Sequence, residues 1–411
     1  MAFLFLNCLA LLSTFLYFPY TQPTPLLPPF NVSQHGLLKY LGLPNFGHIL
    51  PALYVFGDSN IDAGNNNYLP TIARANYTPY GIDFGGGEPT GRYTNGRTAA
   101  DFIAQLAGLP FPPPVLGMSA AEMNYTLTGV NFGSDSGGIQ DIPPEAARIF
   151  VSFPPQLLCE LEITSFNCFS TLNPQGHVLS FQEQIQLFNM TARSIQNQFS
   201  SHESFAQYMS KSLFFINIGT NDLGVYWQLG QQQKPRKNAT EYALDLSDKL
   251  SHGLKAIYEL GARKFLVNNV SPLGCGPSNI NTYKPNTTCV EDINQRVSYY
   301  NGLLPNMLAN LEASLEGSTF VVCDLYRVFE DVYAQPAAYG FRNVSGFCCP
   351  DSAGNGTREC AKAGVPCMDR QTIVFFDPFH PTEAVNFLSV RRFLLEDSLC
   401  LPYTLLKLIQ L

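Results

Sequence analysis

The chain has 411 residues, of which 45% are apolar and 14% charged, with a formal net charge of −8. That apolar share supports a large core, and the absence of any basic run of five or more argues against nucleic acid or an anionic membrane as partner. The length fits one α/β domain with long loops.

Residues 1–20, which open MAFLFLNCLALLSTFLYF, are almost wholly apolar and read as a secretory signal with no clear cleavage site. A membrane anchor is the competing reading; the stretch is short for a span and contains Asn7, Ser13 and Thr14. Residues 21–50 are Pro-rich and are expected to form an irregular lead-in. Beyond them, short apolar runs predict strands at 53–56, 213–218, 264–270 and 319–323. Amphipathic periodicity predicts helices at 99–107, 181–199, 240–260, 291–315 and 381–395. Strands alternating with helices imply βαβ units and a mainly parallel sheet covered on both faces. Residues 150–180 and 340–372, rich in Pro, Gly and Cys, read as loop insertions at the sheet edge or near the site.

Eleven cysteines are present, and Cys8 falls in the signal. The remaining ten are even in number, which suits disulfides in an oxidising compartment. Cys159 lies near Cys168, Cys275 near Cys289, and Cys348, Cys349, Cys360 and Cys367 form a cluster, while Cys323 and Cys400 stand apart. The adjacent Cys348 and Cys349 are expected to take different partners; the connectivity is otherwise open. No CxxC pair or histidine pair suggests zinc. Sequons at Asn31, Asn76, Asn124, Asn189, Asn238, Asn286, Asn343 and Asn355 point to glycosylation in the secretory pathway, whereas Asn269 precedes Ser-Pro beside a strand and is discounted.

In an open α/β sheet, ligands bind beyond the carboxyl ends of the strands. Gly57-Asp58-Ser59 follows the first predicted strand, Gly219-Thr220-Asn221-Asp222 the second, and Ser271-Pro-Leu-Gly-Cys275 the third. A serine hydroxyl attacks only when a base removes its proton, usually a histidine oriented by a carboxylate. Six histidines are available. His35 and His48 lie in the lead-in, and His177 lies in a loop with no adjacent acid. His202 beside Glu203 and His252 four residues after Asp248 read as exposed helix pairs. His380 has Asp377 three residues before it, in a turn bounded by Pro378 and Pro381. Taken singly, each motif has a plain structural reading: Ser59 or Asp377 as a helix cap, Asn221 as a turn residue, Gly137-Gly138 as a bend.

The order GDSNIDAGNNN (57–67), GVNFGSDSGGI (129–139), INIGTND (216–222) and DPFH (377–380) resembles the GDSL, or SGNH, hydrolase family, and its plant secreted branch in particular. The resemblance covers residues 51–395 and includes PLGC (272–275) and Cys348-Cys349. It implies a three-layer α/β/α, flavodoxin-like fold with a mainly parallel central sheet, as one domain over 51–400 followed by a tail at 401–411. It also implies Ser59 as nucleophile, His380 as base and Asp377 as the group that orients the base. The oxyanion hole would comprise the Ser59 N–H, a Gly138 N–H (with Gly137 in reserve) and the Asn221 amide.

The chain departs from the family pattern at Asn60, where the family name has leucine, and at Gly133 and Asp135, which replace small residues. Altered packing is expected at Asn60, and an extra carboxylate near the site at Asp135. The activity implied is that of a secreted serine esterase or lipase that needs no metal and no cofactor. Its partner would be a small-molecule or polymer-linked ester, with no nucleic acid and no stable membrane insertion. Acyl transfer to an alcohol would use the same acyl-enzyme, and a silent secreted protein that binds lipid or polysaccharide is the rival from another class.

Overall fold

The computed structural model describes residues 27–45, 47, 50–140, 176–224 and 237–411. The signal segment, His48, Cys159, Cys168 and most of the first loop-rich stretch lie outside the described residues. Four strands, β1 (Leu53–Gly57), β2 (Leu213–Asn217), β3 (Lys264–Asn268) and β4 (Thr319–Cys323), stand side by side in chain order and run parallel. Strands β5 (Asn343–Phe347) and β6 (Ile373–Phe375) form a separate parallel pair, and β7 (Cys400–Leu401) adds to the large sheet antiparallel to β4. On the other edge, residues 128–134 run beside β1. Leu53 N–H donates to Thr128 O, Val55 N–H to Val130 O, and Phe132 N–H to Val55 O.

Every residue of β1, β2 and β3 is buried, as expected for strands covered on both faces. Alternation divides them between two cores. Leu53, Val55, Leu213, Phe215, Leu266 and Val321 face one; Tyr54, Phe56, Phe214, Ile216, Phe265 and Val267 face the other. Helices cover both sides. The elements are α1 (Gln34–Tyr40), α2 (Ala99–Ala107), α3 (Ala120–Tyr125), α4 (Phe181–Gln196), α5 (His202–Lys211) and α6 (Ala239–Glu259). They continue with α7 (Pro277–Tyr283), α8 (Glu291–Asn301), α9 (Leu304–Ser314), α10 (Leu325–Ala334), α11 (Glu383–Leu395) and α12 (Leu405–Gln410). The first core lies under α1, α2, α10, α11 and α12, and the second under α4, α5, α6, α8 and α9. The result is the expected α/β architecture with a mainly parallel sheet.

Local chemistry sets the helix ends. Thr98 and Asp101 form a reciprocal capping box at the start of α2, and Gly108 ends it in a left-handed conformation. The single helix expected over 291–315 is two, α8 and α9, with Gly302 at the break and Pro305 in the first turn of α9. Proline lacks the N–H that a continuous helix would need there. The Pro-rich lead-in is not wholly irregular: Ser33 caps α1, which buries Leu37 and Leu38. Residues 401–411, expected as a tail, end β7 and form α12, whose Leu405, Leu408 and Ile409 are buried in the first core.

Disulfides join Cys275 to Cys289, Cys323 to Cys400, Cys348 to Cys367, and Cys349 to Cys360. The two cysteines that stand apart in sequence thus meet across β4 and β7, and the adjacent pair takes different partners.

Candidate active site

Beyond Gly57 the chain leaves β1 in one tight turn. Asp58 N–H still donates to Asn217 O, while Asp58 O accepts from the N–H groups of Ile61 and Asp62. Glycine is required at 57 because a Cβ there would lie 2.0 Å from Asn217 O. The polar residues that follow are buried and bonded. Asp62 Oδ1 accepts from the N–H groups of Gly64 and Asn65, both at 2.7 Å. Asn65 Nδ2 donates to the carbonyls of Asn131 and Gly133, and Asn66 Nδ2 to those of Ala73 and Asp135. Ser134 Oγ donates to Asn66 Oδ1 at 2.6 Å. This polar run therefore satisfies the backbone of two loops that no sheet or helix covers. Asn60 turns its amide back to Asp58 Oδ1 at 3.0 Å.

Ser59, at the head of this turn, is 6% exposed. His380 Nε2 lies 2.8 Å from its Oγ. On the far side of the ring, His380 Nδ1 lies 2.8 Å from Asp377 Oδ2. The DPFH turn builds this contact locally, since Asp377 Oδ1 also accepts the N–H groups of Phe379 (2.8 Å) and His380 (2.7 Å). Its carboxylate is completely buried. Tyr80, which sequence reasoning missed, donates its hydroxyl to Asp377 Oδ2 at 2.6 Å. The ring of Tyr93 lies 4.9 Å from that of His380, centroid to centroid.

Burial pulls the pKa of His380 down. The charge and hydrogen bond of Asp377 outweigh it, with Asp135 and Glu359 adding, so the imidazole sits above its ordinary value of 6.5. Asp135 is 6% exposed, and burial pushes it up to about 7 against the pull of His380 and Tyr93. Burial likewise raises Asp62 to about 6, despite the backbone N–H groups of Gly64, Asn65, Asp135 and Asn66.

The Gly137-Gly138 loop faces the same strand ends. Gly137 N–H donates to Ser134 O at 3.0 Å, while Gly138 N–H has no acceptor among the described residues. Ser59 N–H is likewise unpaired among them. Asn221, in a helical turn that begins at Thr220, donates its amide to Gly137 O at 2.9 Å, which brings it beside Gly138. Asp222 accepts from the N–H groups of Ile139 (2.9 Å) and Gln140 (3.2 Å), and a Cβ on Gly138 would lie 3.0 Å from its carboxylate.

Gln184 on α4 braces the end of β1 where the serine turn begins. Its Oε1 accepts Gly57 N–H and its Nε2 donates to Gly57 O, both at 2.9 Å; Nε2 also reaches Leu179 O at 3.1 Å. No sequence motif singles out Gln184 or Tyr80; each is one polar residue in an ordinary stretch. Among the described residues, the other histidines are not part of this constellation: the side chains of His177 and His252 make exposed pairs with Glu183 and Asp248.

Among the described residues, no group of three or more His, Cys, Asp and Glu side chains is placed to hold a metal ion. Nor is any described helix long and apolar enough to cross a membrane.

Residues 53–391 match the family model for GDSL-like lipase/acylhydrolase. GDSL esterase/lipase 7 of Arabidopsis thaliana is 37% identical over 342 residues, 82% of this chain and 86% of that protein. A second GDSL esterase/lipase of Arabidopsis thaliana is 36% identical over 345 residues, 84% of this chain and 81% of its own length. A third is 34% identical over 407 residues, 95% of this chain and 99% of its own. With the serine-led turn, the glycine loop and the terminal Asp-x-x-His in their places along this sheet, the chain belongs to the GDSL-like lipase/acylhydrolase family of carboxylic ester hydrolases.

Proposed function

We propose that the chain hydrolyses carboxylic esters through an acyl-enzyme on Ser59. His380 Nε2 takes the Ser59 proton as Oγ attacks the ester carbonyl, then returns it to the departing alcohol. A water, activated by the same nitrogen, releases the acid and restores the serine. Asp377 holds the ring so that Nε2 faces Oγ and stabilises the imidazolium that forms. The observation that carries this reading is the unbroken contact from Asp377 through His380 to Ser59, 2.8 Å at each link.

Negative charge develops on the carbonyl oxygen in each half-reaction. The unpaired N–H groups of Ser59 and Gly138 and the Asn221 amide are suited to receive it, each such donor being worth about 3 kcal/mol. Gly138 is preferred to Gly137 because the latter already spends its N–H on Ser134.

Secretion as a glycosylated, single-domain protein completes the proposal. It is supported by the apolar first residues, by four disulfides, and by the sequons. Asn31, Asn76, Asn124, Asn238, Asn286, Asn343 and Asn355 are exposed and Asn189 half-buried, whereas the discounted Asn269 is buried and donates to Asp324.

Ser59→Ala tests the chemistry. Hydrolysis of p-nitrophenyl butyrate should fall by about 10⁴-fold or more, and fluorophosphonate labelling should vanish. Residual turnover close to that of the parent would remove Ser59 from the mechanism.

A further inference from the structure

A small cavity, with about 60 Å³ of free space, is lined by residues next in the chain to Ser59 and His380, though not by those two themselves. On that measure a water occupies roughly 10–15 Å³, so the cavity fits a group of only a few non-hydrogen atoms. Asn60 and Phe379, the chain neighbours of Ser59 and His380, line it, and Phe329 and Phe375 contribute apolar wall. It also reaches the ends of two adjacent strands, at Asn217 of β2 and Asn268 of β3.

These two side chains share the sheet face of Phe215 and Leu266 and are 6% and 4% exposed. Asn268 Nδ2 donates to Asn217 Oδ1 at 2.9 Å. That single bond leaves Asn268 Oδ1 with no hydrogen-bond partner and Asn217 Nδ2 donating to no described residue. Of the other polar side chains of the lining, Asn60 bonds Asp58, Asn269 bonds Asp324, Asn386 bonds Arg97 O and Ser389 bonds Val385 O, whereas Ser271 is only half-buried and makes no side-chain hydrogen bond among the described residues. An acceptor and a donor thus stay unspent together on one amide pair, and the buried acceptor, Asn268 Oδ1, is the one whose unmade hydrogen bond is costly.

We propose that this cavity recognises a hydroxyl carried by the ester substrate a few atoms from the scissile carbonyl. The hydroxyl accepts from Asn217 Nδ2 and donates to Asn268 Oδ1. If the two amides turn over together, their mutual bond survives and the unpaired groups exchange character; a hydroxyl, both donor and acceptor, still matches them. A purely apolar chain end would leave both groups unpaired. The inference rests on the esterase reading above and names the substrate class for that site.

The test compares isosteric esters in two arms. In the acyl arm, p-nitrophenyl 3-hydroxybutyrate is set against p-nitrophenyl 3-methylbutyrate; in the alcohol arm, 2-hydroxyethyl butyrate against propyl butyrate. In one arm the hydroxylated ester should have a kcat/KM higher by about tenfold, and the arm that shows it identifies which half of the ester enters the cavity. Asn268→Leu should bring that ratio close to one. If this variant does not melt cooperatively, Asn60→Leu, which fills the cavity from its rim, should lower the same ratio.

Ratios within a factor of two of one in both arms, with butyrate esters still cleaved in a Ser59-dependent way, would overturn the proposal and leave the esterase reading standing. If no ester is cleaved, or cleavage survives Ser59→Ala, the esterase reading itself fails. Titration calorimetry on the Ser59→Ala protein gives a readout without turnover. Equal affinity for 2-hydroxyethyl butyrate and propyl butyrate, and for the two p-nitrophenyl esters, would also overturn the proposal.

Discussion

Tyr80 shows how much one hydroxyl can decide. Asp377 is fully buried, and the Tyr80 hydroxyl at 2.6 Å both neutralises part of its charge and pins its rotamer. Tyr80→Phe should lower kcat by about 5- to 20-fold, the worth of one hydrogen bond to a charged group, with KM nearly unchanged. It should also concentrate charge on Asp377 and move the acid limb of the pH–rate profile upward; an unmoved limb would show the tyrosine to be packing alone. Asp135 acts on the same limb in the opposite sense. Its charge helps hold the imidazole above 6.5, so Asp135→Asn should let His380 become a neutral base at lower pH and shift the limb downward.

Stability carries its own signature at Asp135. A buried carboxyl raised to about 7 binds a proton in the folded state that the unfolded chain has released above about 4. Stability therefore falls as pH rises through that window, and the Asn variant should show a flatter Tm between pH 5 and 7.

The element that makes the site possible is the end of β1, and α4 completes it. Residues 128–134 pair with β1 as far as Ser134 N–H on Gly57 O, but Gly57 N–H finds no carbonyl in that segment. The Gln184 side-chain amide replaces the missing peptide, giving and accepting one bond. Because α4 also begins with Phe181 N–H on Gly138 O, one helix holds the serine turn and the glycine loop in a common frame. We expect Gln184→Glu to lose about 10- to 100-fold in kcat at pH 8, since its carboxylate would face the carbonyls of Gly57 and Leu179. A protonated glutamic acid can again donate and accept, so the ratio of variant to parent should rise as pH falls. A ratio flat from pH 5 to 8 would count against this positioning role.

At the scale of the molecule, the sheet is closed by residues far along the chain. β7 pairs with β4, Cys400 bonds Cys323, and α12 seals the first core with Leu405, Leu408 and Ile409. Leu408 is fully buried, so Leu408→Ala should cost about 2–5 kcal/mol, read as a lower urea midpoint. A loss below about 1 kcal/mol would return the segment to the status of a dispensable tail.

Strand and helix identity could be read locally for 53–56, 99–107 and 319–323, because apolar period and capping residues act over a few neighbours. The GDS turn and the DPFH turn were legible for the same reason: their key bonds span two or three residues, as between Asp377 and His380. The short strands β5 to β7 and the seating of α12 were not, since each depends on a surface brought from elsewhere; the split of 291–315, by contrast, follows from the local Gly302 and Pro305. Pairing Ser59 with His380 crosses 321 positions, and Tyr80 reaches Asp377 across 297. Short-range pattern decides which residues can do chemistry here; only the packed sheet decides which of them touch, because hydrogen bonds and charge act over ångströms and not along the chain.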